Sequence, residues 1–488
     1  MKEAAARERD WSRMGWTRQE VLTATGAVAG AEPARDETFE AVCIDSRRVT
    51  PGSLFVALRG EHHDAHRFVA DALRTGARAA LVERVPPDVD PRRALVVADA
   101  LRGLGDLAAA ARRRQPVRVV GITGSNGKTT TKEMVANICR EARFPPPRAA
   151  VLSTHGNENN LVGLPLTLLR LTGDEAVAVL EMGMNAPGEI ARLTEIAAPD
   201  VGVITNVGPA HLEGLGSIDG VAAAKGELFA GMAREAIVAV NMEDERVVRA
   251  AAAFPGRRIE FGAGGQVTAR SVRDLGVDGV AFELDVAGRA VSVRLRVPGR
   301  HNVANALAAA AVAHGLGLDV DAIAAGLAQT PPPAMRMQVV RLANGVTVVN
   351  DAYNANPASM EAGLRALAAM PGRALAVLGE MRELGPESDV LHEALGARAA
   401  ASGIAALVAV GPQSECIAAG ARAAGGRLQV RVCADAAAAA AAVESLWRPG
   451  DVILVKGSRG SDAEKGVREF GARMAEVVAL LERAGGRP

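Results

Sequence analysis

Residues 119–134, "VVGITGSNGKTTTKEM", gather the densest set of groups able to do chemistry. An apolar run enters a turn of Gly124, Ser125, Asn126 and Gly127. Lys128, Thr129 and Thr130 follow, with a helix expected from about Thr129. Backbone N–H groups in such a turn, backed by a helix N-terminus, form a cradle for polyphosphate. Lys128 would meet the β and γ phosphates, and the Thr129 hydroxyl would ligate Mg2+. The general pattern G-x-x-x-x-G-K-[ST] is not met, because Ile122 stands where its first glycine belongs. The narrower T-G-x-x-G-K-T-T is present instead. The alternative is a plain glycine turn capping a helix.

Three further residues could complete a metal-assisted site. Glu181 closes the apolar run "AVAVLE". A carboxylate at the C-terminal end of a neighbouring parallel strand is placed to meet a phosphate-bound Mg2+, whereas an isolated strand-end glutamate would simply face water. His211 lies in the loop after the next strand, "VGVIT", and Lys225 on a helix beginning near Ser217. Alone, either would be a solvated surface group. Lysine is scarce here, however: Lys2, Lys128, Lys132, Lys225, Lys456 and Lys465 are the six among 56 basic residues. A lysine kept in so arginine-rich a chain points to chemistry that arginine lacks.

Positioning these groups requires an α/β framework. At 488 residues, with about 150 per domain, three domains are expected. A charged leader is expected over 1–19. Residues 20–114 read as a small α/β unit with strands at "FEAVCID", "GSLFVALRG" and "ARAALVE", and a helix at "HRFVADALRTG" that ends at glycine. Residues 115–330 carry the phosphate loop in a largely parallel sheet, with an antiparallel hairpin at "GVAFELDVAGRAVSVRLRV" and a long helix at "HNVANALAAAAVAHGLG". Residues 331–488 repeat the βα logic at "VTVVND", "ALAVLGE", "ALVAVG" and "VILVKGS". Strands alternating with helices imply parallel sheets covered on both faces. The alanine-rich "ADAAAAAAAVESLW" is a helix capped by Asp435.

Composition narrows the partners. The 56 basic residues balance the 56 acidic ones, so no general attraction to nucleic acid or anionic lipid is expected. No apolar run reaches the roughly 18 to 20 residues of a membrane span, and the charged N-terminus lacks a signal-peptide core. Cys43, Cys139, Cys416 and Cys433 lie far apart, which suits buried thiols in a reducing cytoplasm. A cytoplasmic monomer is expected.

Eight segments in one order carry a resemblance: "TGSNGKTTTKEM", "GNENNLVGLPLTLL", "EMGMNAPGEI", "ITNVGPAHLEGLGSIDGVAAAKGELF", "PGRHNVANALAAAA", "NDAYNANPASM", "LGEMRELG" and "VKGSRG". Nearly the whole chain after the leader resembles the Mur ligases, the ATP-dependent amide-forming enzymes of peptidoglycan precursor synthesis. "NDAYNANP" and "LGEMRELG" are similar to the member that joins D-alanyl-D-alanine to UDP-N-acetylmuramoyl-tripeptide. The resemblance implies a uridine-nucleotide domain, a central ATP-binding domain and a C-terminal Rossmann-like domain. It further implies that ATP phosphorylates the muramoyl-peptide carboxylate and that an amine attacks the acyl phosphate. Thr129 and Glu181 would hold one Mg2+, and His211 with a carbamylated Lys225 a second.

By the same resemblance Asn302 touches adenine, with a helix-start cap as the alternative, and Arg336 and Asp351 close over the nucleotide. Ser46 and Arg47 contact the uridine-linked substrate, and Asn157, Asn159 and Asn160 line its peptide channel. From their strand-end position facing the cleft, Tyr353 and Asn354 are expected to bind the dipeptide, and Lys456 matches the family's C-terminal Lys-Gly-Ser segment as a substrate contact. Departures from the family pattern are Ala65 in place of a glycine, Glu380 where aspartate is common, and an insertion "SDAEKGVREFGA" after "VKGSRG". The ligase that adds the third amino acid would carry Asp-Asn-Pro-Arg, where this chain has "NANP". A folylpolyglutamate synthetase would lack the "DSR" segment, and a non-catalytic nucleotide-binding partner would show decayed metal and phosphate residues.

Overall fold

Apolar strands bounded by polar loops set the framework of the computed structural model, which describes residues 15–31, 37–60, 63–458 and 474–486. The first unit is a five-stranded sheet in the order Val28–Ala29, Ala94–Val96, Ala79–Val82, Leu54–Val56, Val42–Cys43, parallel except for its first strand. "FEAVCID", expected as one strand, is two. Phe39 pairs antiparallel with Trp16 while Val42 pairs parallel with Leu54, so the chain changes partner at Glu40–Ala41. The helix Arg18–Thr25 straddles the expected leader boundary at residue 19, and Trp16 is buried. The rest of the leader, 1–14, lies outside the described residues, as does the 461–472 insertion.

The central sheet has nine strands. Their order is Arg289–Leu295, Val280–Val286, Val267–Asp274, Arg257–Phe261, Ile237–Asn241, Val201–Ile204, Arg118–Thr123, Glu175–Glu181, Ala150–Ser153. The first two form the expected antiparallel hairpin. The others run parallel, and strands such as Val201–Ile204 are buried at every residue because helices cover both faces. Gly326 lets the helix Val320–Gln329 press on the phosphate-loop helix, since an added Cβ would collide with the backbone of Ile138.

In the third unit six strands lie in the order Gln338–Arg341, Thr347–Asp351, Val452–Lys456, Ala374–Leu378, Ala406–Val410, Gln429–Cys433, parallel except the first. Its edge strands were not anticipated. Gln338–Arg341 and Gln429–Cys433 are bounded or interrupted by polar residues and bury little. One buried apolar cluster joins Trp16 and Leu54 to Leu180 and Leu228, and another joins Met134 and Ala309 to Leu364 and Leu378. The three units therefore share cores rather than hanging as separate beads. The strands of both larger sheets that carry the site residues end on one cavity of about 1680 Å3.

Candidate active site

The phosphate loop joins the strand Arg118–Thr123 to the helix Lys128–Glu141, which begins one residue before the expected Thr129. Gly124 and Gly127 take φ of 146° and 81°. A side chain on Gly124 would strike the Thr205 hydroxyl, and one on Gly127 the Asn305 amide. Asn206 accepts from the Ser125 and Asn126 N–H groups, through its carbonyl at 2.9 Å and its side chain at 3.0 Å. These two donors hold the loop's shape. The N–H groups of the first helical turn, over Lys128–Thr130, are the ones left for phosphate. Lys128 donates from Nζ to the Gly124 carbonyl at 2.7 Å. Burial lowers its ammonium below the ordinary lysine value, partly offset by Glu181.

Glu181 is 2 % exposed. One carboxylate oxygen accepts from Asn159 Nδ2 at 2.8 Å, while Oε2 is buried with no hydrogen-bond partner. An orphaned carboxylate oxygen beside a phosphate loop is costly unless a cation or donor joins it. Lys225 is 1 % exposed and makes no ion pair or hydrogen bond with the described residues. Burial, and after it the Lys128 charge, hold its amine well below the ordinary value. His211 has a left-handed backbone (φ 56°) and places Nδ1 2.5 Å from Glu383 Oε2 of the third unit. Among the described residues no three His, Cys, Asp or Glu side chains form a cation-binding group. The donors expected for Mg2+ are mixed, and the free oxygen of Glu181 fits a hard cation.

The third unit reaches the loop directly. Arg336 donates to the Thr129 hydroxyl at 2.9 Å, and Asn356 donates to the Asn126 side chain at 2.8 Å. Arg336 sits between Met335 and Met337, both left-handed at φ 56° and 50°. Its guanidinium lies over the Tyr353 ring, 4.1 Å from the centroid. Asp351 anchors this turn. One oxygen accepts from the Met337 N–H at 3.1 Å and the other from Lys456 Nζ at 2.5 Å. Tyr353 thus enters the site through Arg336, and Asn354 accepts from Ala355 N–H at 2.9 Å.

The remaining expected residues divide. Asn157, Asn159 and Asn160 line the cavity, as do Asn302, Asp351, Tyr353, Asn354 and Lys456. Asn302 is no helix cap: it donates to the Pro298 carbonyl at 2.7 Å and accepts from Asn305 at 2.8 Å. Ser46 and Arg47 lie outside the cavity, and the exposed Arg47 is tied back to Asp45 at 2.8 Å. Ala65 needs no glycine conformation, because it opens a right-handed turn capped by Asp64. Glu380 pairs with Arg382 at 2.9 Å. Lys132, another scarce lysine, is structural and donates to the Thr154 carbonyl at 2.7 Å. Sequence reasoning missed Asn206, Asn305, Asn356 and Glu383. All four lie inside quoted segments, but only the fold shows what they touch.

Phosphate loop, acidic strand end and an arginine from a second sheet around one cavity define a nucleotide-binding α/β enzyme of three units. The chain belongs to the Mur ligase family: its models match as Mur ligase family, catalytic domain over 38–114, Mur ligase middle domain over 122–313, and Mur ligase, glutamate ligase domain over 335–459. It is 40% identical over 450 residues to the UDP-N-acetylmuramoyl-tripeptide–D-alanyl-D-alanine ligase of Escherichia coli (strain K12), covering 91% of this chain and 96% of that one. MurF from Acinetobacter baumannii superposes with a TM-score of 0.85 at 33% identity, over 96% of this chain and 99% of that one. MurF from Thermotoga maritima in complex with ADP gives 0.79 at 31% identity, over 91% and 97%.

Proposed function

We infer that this chain is an ATP-dependent ligase joining D-alanyl-D-alanine to UDP-N-acetylmuramoyl-tripeptide in peptidoglycan precursor synthesis, with release of ADP and phosphate. The single observation that carries the reading is one cavity lined by Lys128, Glu181, Arg336 and Lys456 from two units. Relatives of that activity extend over nearly the whole chain.

A carboxylate is a poor acyl donor until one of its oxygens becomes part of a phosphate leaving group. The tripeptide carboxylate attacks the γ phosphorus and ADP departs. The dipeptide amine then adds to the acyl carbon, and phosphate leaves from the tetrahedral adduct. Two anions must meet in the first step, so positive charge has to be built in. Lys128, Arg336 and the N–H groups of the first helical turn supply it from this chain. Thr129 and Glu181, and His211 with a carbamylated Lys225, would hold two Mg2+ ions. Magnesium, when bound, neutralises the phosphate oxygens and so lowers the cost of bringing the two anions together. Arg336 and Asn356 of the third unit touch the loop, and closure of that unit over bound substrates would keep water from the acyl phosphate.

Gly124, Ser125, Asn126, Gly127 and Thr130 shape the phosphate end, with Asn302 and Asp351 toward the nucleoside. Asn157, Asn159 and Asn160 fall to the muramoyl peptide, Ser46 and Arg47 to its uridine end, and Tyr353, Asn354 and Lys456 to the dipeptide. We take the enzyme to act as a cytoplasmic monomer. Its four cysteines are all free thiols. Among the described residues no helix is long and apolar enough to cross a membrane. Coupled assay of ADP release tests the reading. Release should require both UDP-N-acetylmuramoyl-tripeptide and D-alanyl-D-alanine. Equal release with either one omitted would contradict it.

A further inference from the structure

His211 is cut off on one side. Its Nδ1 is shielded from water and has no aligned hydrogen-bond partner among the described residues. The group within reach is the Glu383 carboxylate, 2.5 Å away but off the Nδ1–H direction. Glu383 comes from the third unit, and the two residues lie on opposite sides of the same cavity's interface. Both backbones are left-handed, at φ 56° and 62°. Non-glycine residues hold that conformation only where the surroundings impose it, and such positions cluster at functional sites.

The loop that presents Glu383 is fixed from behind. The Met381 N–H donates to His392 Nε2 at 2.8 Å, and the Arg382 N–H to the Ser458 hydroxyl at 3.1 Å. Ser458 returns its own N–H to the Glu380 carbonyl at 2.9 Å. In front, the Glu213 N–H donates to the Glu383 carbonyl at 3.3 Å, tying the loop to the helical turn that follows His211. So Glu383, although half of its side chain is exposed, is delivered to His211 by a braced loop.

We propose that Glu383 is a positioning residue for His211 and acts across the unit interface. The carboxylate accepts a hydrogen bond from Nδ1–H, which fixes the tautomer and leaves the Nε2 lone pair for a divalent cation. Carboxylates that receive the far nitrogen of a metal-binding histidine orient the ring and raise its basicity. Because the carboxylate belongs to the third unit, His211 becomes a competent ligand only when that unit has docked. Substrate closure and the second cation site are then one event. The inference rests on the reading of His211 as a cation ligand.

Manganese is the probe. Mn2+ is titrated into the full-length protein with ADP present, and free Mn2+ is followed by its EPR signal. His211→Ala should lose one class of Mn2+ site. Glu383→Ala should weaken the same class by about 10- to 100-fold, while Glu383→Gln, which keeps an oxygen acceptor for Nδ1–H, should recover much of the loss. Unchanged melting temperatures would establish that each variant folds. If His211→Ala loses the site and Glu383→Ala binds Mn2+ normally, the positioning role is overturned and the ligand role of His211 stands. If His211→Ala itself binds normally, both fall.

Discussion

Arg336 of the third unit and Thr129 of the phosphate loop, 207 residues apart in sequence, share a hydrogen bond of 2.9 Å. The hydroxyl that accepts it is the one expected to face the nucleotide's metal. The guanidinium that gives it is stacked on Tyr353 and held by a turn that Asp351 anchors. One arginine therefore ties the third unit to the phosphate loop.

Removing that arginine should hurt the chemical step more than nucleotide binding. Arg336→Ala is expected to lower kcat by about 10²- to 10³-fold, the range for losing one preorganised group at a developing charge. Arg336→Lys should recover little, because an ammonium neither stacks on the Tyr353 ring nor offers a planar fork. Steady-state kinetics for both variants decide the matter. Near-normal turnover by the lysine variant would mean that charge alone suffices.

Lys225 is expected to act as a carbamate. A neutral buried amine can take up CO2, and the product is an anionic oxygen ligand suited to a hard cation. Lys225→Ala and Lys225→Arg should both be inactive yet folded, and acetate should restore part of the activity of the alanine variant. A structural lysine would tolerate arginine, so an active Lys225→Arg enzyme would end the carbamate reading.

The phosphate loop was legible because its chemistry is local: strand, glycines, lysine, threonine and helix follow one another along 119–134. Glu181 and the hairpin at 280–295 were legible for the same reason, through strand-end position and alternation. What escaped was whatever depends on a partner far away in sequence. Glu383 and Asn356 sit in segments that could be quoted but not interpreted, since one acquires meaning from His211 and the other from Asn126. Tyr353 could be placed at the cavity from its strand end, but its ring contact with Arg336 is a product of two turns folding together. The edge strands at 338–341 and 429–433 escaped because short, half-polar strands carry a weak period.

Acid should loosen the Glu383 loop through His392. This imidazole is fully buried, donates from Nδ1 to the Ser388 carbonyl at 2.7 Å and accepts the Met381 N–H at 2.8 Å. Burial lowers its pKa below the ordinary 6.5, with the Ser388 hydrogen bond, Glu380 and Asp389 opposing. Between the lowered value and 6.5 the unfolded chain binds the proton more readily than the folded one. Stability is therefore full above the ordinary value and falls as pH drops through this window. Melting curves from about pH 7.5 to about pH 5 should show a fall in Tm that is shallower in His392→Gln. Identical slopes would remove His392 from the account.

The central claim is that the tripeptide carboxylate becomes an acyl phosphate before the dipeptide attacks, and isotope transfer reads that step directly. UDP-N-acetylmuramoyl-tripeptide labelled with 18O in its terminal carboxylate is ligated to D-alanyl-D-alanine with unlabelled ATP, and the released phosphate is analysed by mass spectrometry. The carboxylate oxygen that bonds to phosphorus stays with phosphorus when the amine displaces it, so the phosphate should carry 18O in proportion to amide formed. Unlabelled phosphate accompanying full amide formation would contradict the account.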